Sequence, residues 1–181
     1  MKNIYTNIAK IDSYKPIFDI DGIWYVCFDC NEIMKEAKPV LKGGKFVKND
    51  TLESTGMCSY SYIKYKYKPS ISIIKNDLEE IINDSISKKI MNKFYWKGSN
   101  IDLSKENQMN YKANYDLAVQ TNGKNLPIRI KTTKNGKTEY LVFFSINDFE
   151  EFYLAVISHI NSCLEEGWQK KDSIDYSIYN A

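Results

Sequence analysis

Leu126-Pro127-Ile128-Arg129-Ile130-Lys131-Thr132 and Glu139-Tyr140-Leu141-Val142-Phe143-Phe144-Ser145 lie either side of Asn135-Gly136, and Ser145-Ile146-Asn147-Asp148 then leads into a long apolar stripe. Asn-Gly is the dipeptide that two-residue hairpin turns favour, because both of its residues tolerate positive φ. The two runs therefore predict a β-hairpin. Ser145 with Asp148 resembles a capping box, with Asp in the Glu position. Phe149, Phe152, Tyr153, Val156, Ile157, Ile160, Cys163 and Leu164 recur at helical spacing, so a helix follows, and Gly167 is expected to end or bend it.

Upstream, Ile74, Leu78, Ile81, Ile82, Ile86 and Ile90 predict a helix from about Ile73 to Lys93, which Pro69 separates from the strand Ser59 to Lys68. Phe94-Tyr95-Trp96 reads as a short strand entering a turn at Gly98. Ser104 is a candidate N-cap for a helix to about Thr121, closed by Asn122-Gly123. Met109, Ala113, Leu117 and Gln120 form one stripe on that helix, and Tyr111, Tyr115 and Ala118 a second. In the first part, Lys15 to Cys30 reads as a hairpin across Asp21-Gly22, Asn31 to Ala37 as a helical turn before Pro39, Gly43-Gly44 as a turn, and 45–57 as loop with short strands. Residues 1–13 read as a polar arm. The tail is expected to dock through Trp168, Ile174, Tyr176 and Ile178. The expected fold class is α+β, with a β-rich N-terminal module over 1–68 and a module of three main helices and a β-hairpin over 69–181.

The 181 residues carry 43% hydrophobic and 27% charged side chains, enough apolar surface to fold. The net charge of +2 gives no general attraction to nucleic acid or anionic membrane. No apolar stretch approaches the roughly 18 residues a membrane span requires. Met1-Lys2-Asn3-Ile4-Tyr5 lacks the apolar core of a secretory signal, so synthesis in a cytoplasm and four free thiols are expected. The 14 tyrosines suit interfaces as well as cores, although an AT-rich genome would also supply them together with Lys, Ile and Asn.

Chemistry-bearing residues form no catalytic set. Cys27-Phe28-Asp29-Cys30 with Cys58, His159 and Cys163 supplies enough ligands to draw a zinc site, but a CxxC within a strand points its thiols apart, and Cys163 belongs to an apolar stripe. His159 is the only histidine and has no nucleophile motif beside it. Glu79-Glu80, Glu150-Glu151 and Glu165-Glu166 are adjacent pairs, which do not face each other on a helix. Gly43-Gly44-Lys45 lacks P-loop spacing. Tyr60 to Lys68 alternates rings and lysines, as a base-stacking strand would, but equally as an edge strand kept from aggregating. No catalytic, cofactor-binding or metal-ligating residue is assigned.

Phe94 to Gly98, Leu103 to Ala113, Tyr115 to Thr121, Leu126-Pro127, Phe149 to Tyr153 and Gly167 to Asp175 form an ordered series of motifs. That series resembles a family of uncharacterised C-terminal domains in short tailed-phage proteins associated with tails and tail fibres, over about residues 60–178. The resemblance implies a structural virion component without enzymatic activity, in the tail, the head–tail connector or attached to the capsid. It would dock on other phage structural proteins, as a symmetric homo-oligomer or in multiple copies, with no cofactor. Alternatives are a fibre-assembly chaperone and an inhibitor of a host defence complex. The partner-interface candidates are Trp96, Tyr111, Tyr115, Tyr153 and Trp168.

Overall fold

The computed structural model describes residues 3–38, 40–42, 45–47 and 51–180. The chain is an α+β protein with two four-stranded antiparallel sheets and three long helices. It divides into two compact units: Met1–Asp77 together with Asp175–Ala181, and Leu78–Ile174.

In the first unit the strands are β1 (Tyr5–Lys10), β2 (Ile17–Ile20), β3 (Ile23–Glu36) and β6 (Leu52–Tyr65), in the order β1-β6-β3-β2. A separate two-stranded ribbon joins β4 (Val40–Lys42) and β5 (Lys45–Val47). The β2–β3 hairpin turns at Asp21 and Gly22, both at positive φ, as the dipeptide predicts. Two expectations fail here. The polar arm is a strand paired along β6 from Tyr5↔Tyr62 to Lys10↔Met57, followed by a single 3₁₀ turn at Ile11–Ser13. Asn31 to Glu36 is not helical but continues β3 to the rung Glu36↔Leu52. Pairing on a long neighbouring strand outweighs the local helix preference of Glu, Met and Lys. The bulge that allows it lies at Asp29, whose φ is 52° and whose carbonyl accepts from Asn31 Nδ2 at 2.9 Å. β6 likewise begins earlier than the expected strand and ends at Tyr65. The Gly43-Gly44 turn and Pro39 lie outside the described residues.

Val26, Cys27, Ile63 and Cys58 form the most buried positions of this sheet. Tyr179, in the 3₁₀ turn Tyr176–Tyr179, is buried with its hydroxyl donating to the Cys27 carbonyl at 2.9 Å. Tyr179 is thus the buried anchor of the tail, whereas Ile178 is exposed.

α1 (Ile71–Asn92) begins within the first unit, where Tyr65 donates to Asp77 at 2.6 Å, and continues into the second. There follow β7 (Phe94–Trp96), β8 (Ser99–Ile101), α2 (Lys105–Gln120), β9 (Ile128–Lys134), β10 (Lys137–Phe143) and α3 (Ile146–Asp172). The sheet order is β10-β9-β8-β7. The Asn135-Gly136 hairpin, the Ser104 and Ser145 caps and the Asn122-Gly123 stop all form as the sequence predicts. β9 alternates strictly: Ile128, Ile130 and Thr132 are buried, and Arg129, Lys131 and Thr133 are exposed.

The buried positions of β7–β10 join Tyr111 and Ala118 of α2 and Phe149, Phe152 and Val156 of α3 in one core. Phe152 is its hub, with ring centroids of Phe94, Trp96, Tyr111, Phe143 and Phe149 between 5.2 and 6.2 Å away. Gly167 does not end α3, which runs unbroken to Asp172. A Cβ there would come within 3.0 Å of Ile86 Cγ1, so glycine lets α3 pass close to α1.

Candidate functional site

Four of the five interface candidates are held by packing. Tyr111 is buried, its ring edge-on to Phe152 and its hydroxyl donating to the Asp102 carbonyl at 3.3 Å. Burial pushes its phenol up to about 12. Trp96 is half-buried against Phe152, with the Lys97 ammonium 5.3 Å from its ring centroid. Tyr115 and Tyr153 stack on each other at 5.0 Å, and Tyr115 donates to Glu150 at 2.7 Å. Trp168 differs, being 59% exposed on α3. The two stripes of α2 also separate: Tyr111 and Ala118 face the core, while Met109 and Leu117 face outward.

On the first sheet, Phe18 stacks on Tyr25 at 5.0 Å and 5°, and Tyr5 on Tyr62 at 5.3 Å and 21°. The Lys64 ammonium lies 4.7 Å from the Tyr5 centroid and 5.6 Å from that of Tyr25. Rings that face one another across paired strands make this face a cross-strand aromatic ladder.

The four thiols are free. Burial pushes Cys27 up to about 12; burial and the neighbouring Cys58 thiol push Cys30 up to about 11. Neither has the thiolate character of a nucleophile. His159 Nε2 and Cys163 Sγ are 3.7 Å apart in the second unit, while Cys27, Cys30 and Cys58 belong to the first. Among the described residues no group of three His, Cys, Asp or Glu is placed to hold a metal ion. No helix among them is long and apolar enough to cross a membrane.

A polar cleft lies in the second unit. β8 meets β9 at one rung, Asn100↔Thr133, after which the chain leaves for α2. The departure is tightly fastened. Asp102 accepts from Ser104 N at 2.9 Å and, through its carbonyl and carboxylate, from Asn107 Nδ2 at 3.1 Å. Gln108 Nε2 donates to the Leu103 carbonyl at 2.7 Å, and Ser104 caps the helix at Asn107 N. The Leu-Ser-x-Glu-Asn-Gln run is therefore a device for turning strand into helix. Sequence reasoning found the Ser104 cap in it but missed the other bonds, whose acceptors are the Asp102 carboxylate and the Asp102 and Leu103 carbonyls. Where β8 has left, a concavity of about 490 Å³ opens between β9 and α2. Asn107, Asn110 and Asn114 line one wall, and the Ile128–Thr133 stretch of β9 the other. Spacings of three and four put the three asparagines on one face of α2. This site went unread at the sequence level, since a missing strand leaves no motif.

An ion-pair cluster ties α3 to α1: Glu166 accepts from Lys89 and, at 2.9 Å, from Lys170. The Lys89 bond, then the Lys170 bond, hold its carboxyl down to about 2 from an ordinary 4.5. The depressed value means that the unfolded chain takes up this proton first. The contribution is then full above about pH 4.5 and is lost as pH falls toward 2. Glu166→Gln should flatten the acid limb of stability across that window, and the difference from the parent should shrink in 1 M salt. Urea midpoints measured from pH 5 to pH 2 check this; superimposable limbs would mean that the cluster contributes nothing.

No protein-family model, no curated protein and no solved structure matches this chain.

Proposed function

We propose that this chain is a non-enzymatic structural component of a tailed-phage virion, placed in the tail, the head–tail connector or on the capsid, and acting by protein–protein docking in several copies. The ordered motifs between Phe94 and Asp175 support the phage reading by resemblance. The observation that carries the docking reading is Trp168. Phe149 and Phe152, from the same motif series, are fully buried, and Gly167 and Tyr111 are taken up by packing. Trp168 instead stands 59% exposed. Leu154, at 60%, and the less exposed Ile157 and Leu164 fall on the same side of α3, and Tyr140 of β10 and Phe144 just beyond it are exposed apolar side chains elsewhere on this unit. Large apolar side chains turned outward in this number suit contact with other subunits. Quantitative mass spectrometry of gradient-purified particles tests the reading. The chain is expected at a fixed ratio to the major structural proteins; its presence in lysate and absence from particles would overturn it.

A further inference from the structure

We propose that the cleft between β9 and α2 is a slot for an extended, acidic polypeptide segment, which adds itself as a strand to the open edge of β9. The proposal does not depend on where the chain resides.

Three independent features converge on it. The first is the open edge. β9 is fully paired with β10 on one side, from Ile128↔Phe143 to Lys134↔Lys137, and on the other side, among the described residues, only at Thr133. In a strand, alternate peptide groups point to either side, so between Ile128 and Thr132 one set of amides and carbonyls faces the concavity. Unpaired backbone groups in a sheltered position are a template for strand addition. The second is size. The concavity of about 490 Å³ falls within the usual range for ligand sites. It runs beside five residues of strand, on the order of 17 Å, enough for a segment of similar length.

The third is the opposite wall. An inserted strand pairs one edge with β9 and turns its other edge toward α2. There it meets Asn107, Asn110 and Asn114 rather than apolar side chains. Asparagine both donates and accepts, so a row of asparagines can satisfy peptide groups of either sense. Asn107 and Asn114 are partly used, through Nδ2 bonds to Asp102 and to the Asn110 carbonyl, which orient them. The Asn110 side chain makes no hydrogen bond among the described residues and is exposed to the cleft. Charge selects the occupant further. Arg129 and Lys131 flank the open edge, and the one carboxylate in the lining, Asp102, is engaged by Asn107. An oligosaccharide is the less suitable occupant, since the ring in the lining, Tyr111, is buried against Phe152 and offers no exposed face for sugar stacking.

The test uses the intact chain and a random heptapeptide library presented by messenger-RNA display. Binders are selected on the parent and measured against Asn110→Trp, which fills the slot from an exposed helix position without touching the core. Expected are binders enriched in Asp and Glu that lose at least tenfold in affinity on Asn110→Trp. Their binding should slow amide exchange at the β9 residues Ile128 to Thr132. N-methylating alternate peptide amides should abolish binding in one phase and spare it in the other, the signature of an added strand. A library that yields no Asn110→Trp-sensitive binder overturns the proposal. So do binders indifferent to N-methylation, and so does Asn110→Trp-sensitive capture of glycans on an array where peptides fail. Circular dichroism of Asn110→Trp, with an unchanged urea midpoint, verifies that the variant is folded.

Discussion

Phe152→Ala will cost the second unit about 3–5 kcal/mol, a large fraction of the stability of a domain of this size. The side chain is fully buried, and five aromatic rings from β7, α2, β10 and α3 itself close on it. Removing it forfeits the transfer energy of the ring and leaves a cavity. The neighbours cannot collapse into that cavity without breaking their edge-on and tilted contacts with one another. Phe152→Leu refills part of the volume and should cost clearly less. Urea unfolding followed by Trp96 fluorescence and by amide exchange in β9 and α3 measures both. A loss below about 1 kcal/mol for the alanine variant would show that these rings are not the core of this unit.

The second large effect is expected at the other end of the chain. Tyr179→Ala should destabilise the first unit by about 3 kcal/mol, by analogy with other buried aromatic truncations. Tyr179→Phe, which keeps the ring and removes only the bond to the Cys27 carbonyl, should cost about 1 kcal/mol. The site of the loss is as informative as its size: protection should fall in β3 and β6 and persist in β9 and α3. Uniform loss across both sheets, or none in β3, would refute the assignment of the tail to the first sheet. Burial pushes the Tyr179 phenol up to about 12 from 10.0. The folded state therefore prefers the neutral ring. This contribution is complete below about pH 10 and disappears as pH climbs toward 12, and Tyr179→Phe removes that part of the alkaline limb.

Local chemistry explains which parts of the fold the sequence disclosed. Asp21-Gly22 and Asn135-Gly136 announce hairpins because positive φ at two successive positions is a strong restriction and few residue pairs meet it. α3 was legible because its buried positions repeat at helical spacing over most of its length. Asn31 to Glu36 was misread because its composition suits a helix and its strand partners on β6 lie between 16 (Glu36↔Leu52) and 28 (Asn31↔Ser59) residues away. The same non-locality concealed β1, whose pairing with β6 spans most of the first unit; β8 pairs locally with β7 but is only three residues long, too short for a period to show. Gly167 misled for a different reason: a glycine needed for close approach looks, in one dimension, the same as a glycine that stops a helix. Among the interface candidates, ring type flagged Tyr111 and Trp168 equally, but only a three-dimensional arrangement separates a core ring from an exposed one. The β9 cleft was illegible in principle, because an empty strand position has no residues.

The tail anchor at Tyr179 has a consequence for biogenesis. The segment from Asp175 is synthesised after every residue of Leu78–Ile174, yet its Tyr179 is buried in the unit that begins the chain and donates to the Cys27 carbonyl there. A nascent chain can therefore finish its middle portion while its beginning still waits for a missing piece, the reverse of the usual N-to-C order on the ribosome. The early-made sheet would lack its Tyr179 anchor throughout that delay, and this is the interval in which a chaperone would have the most to protect.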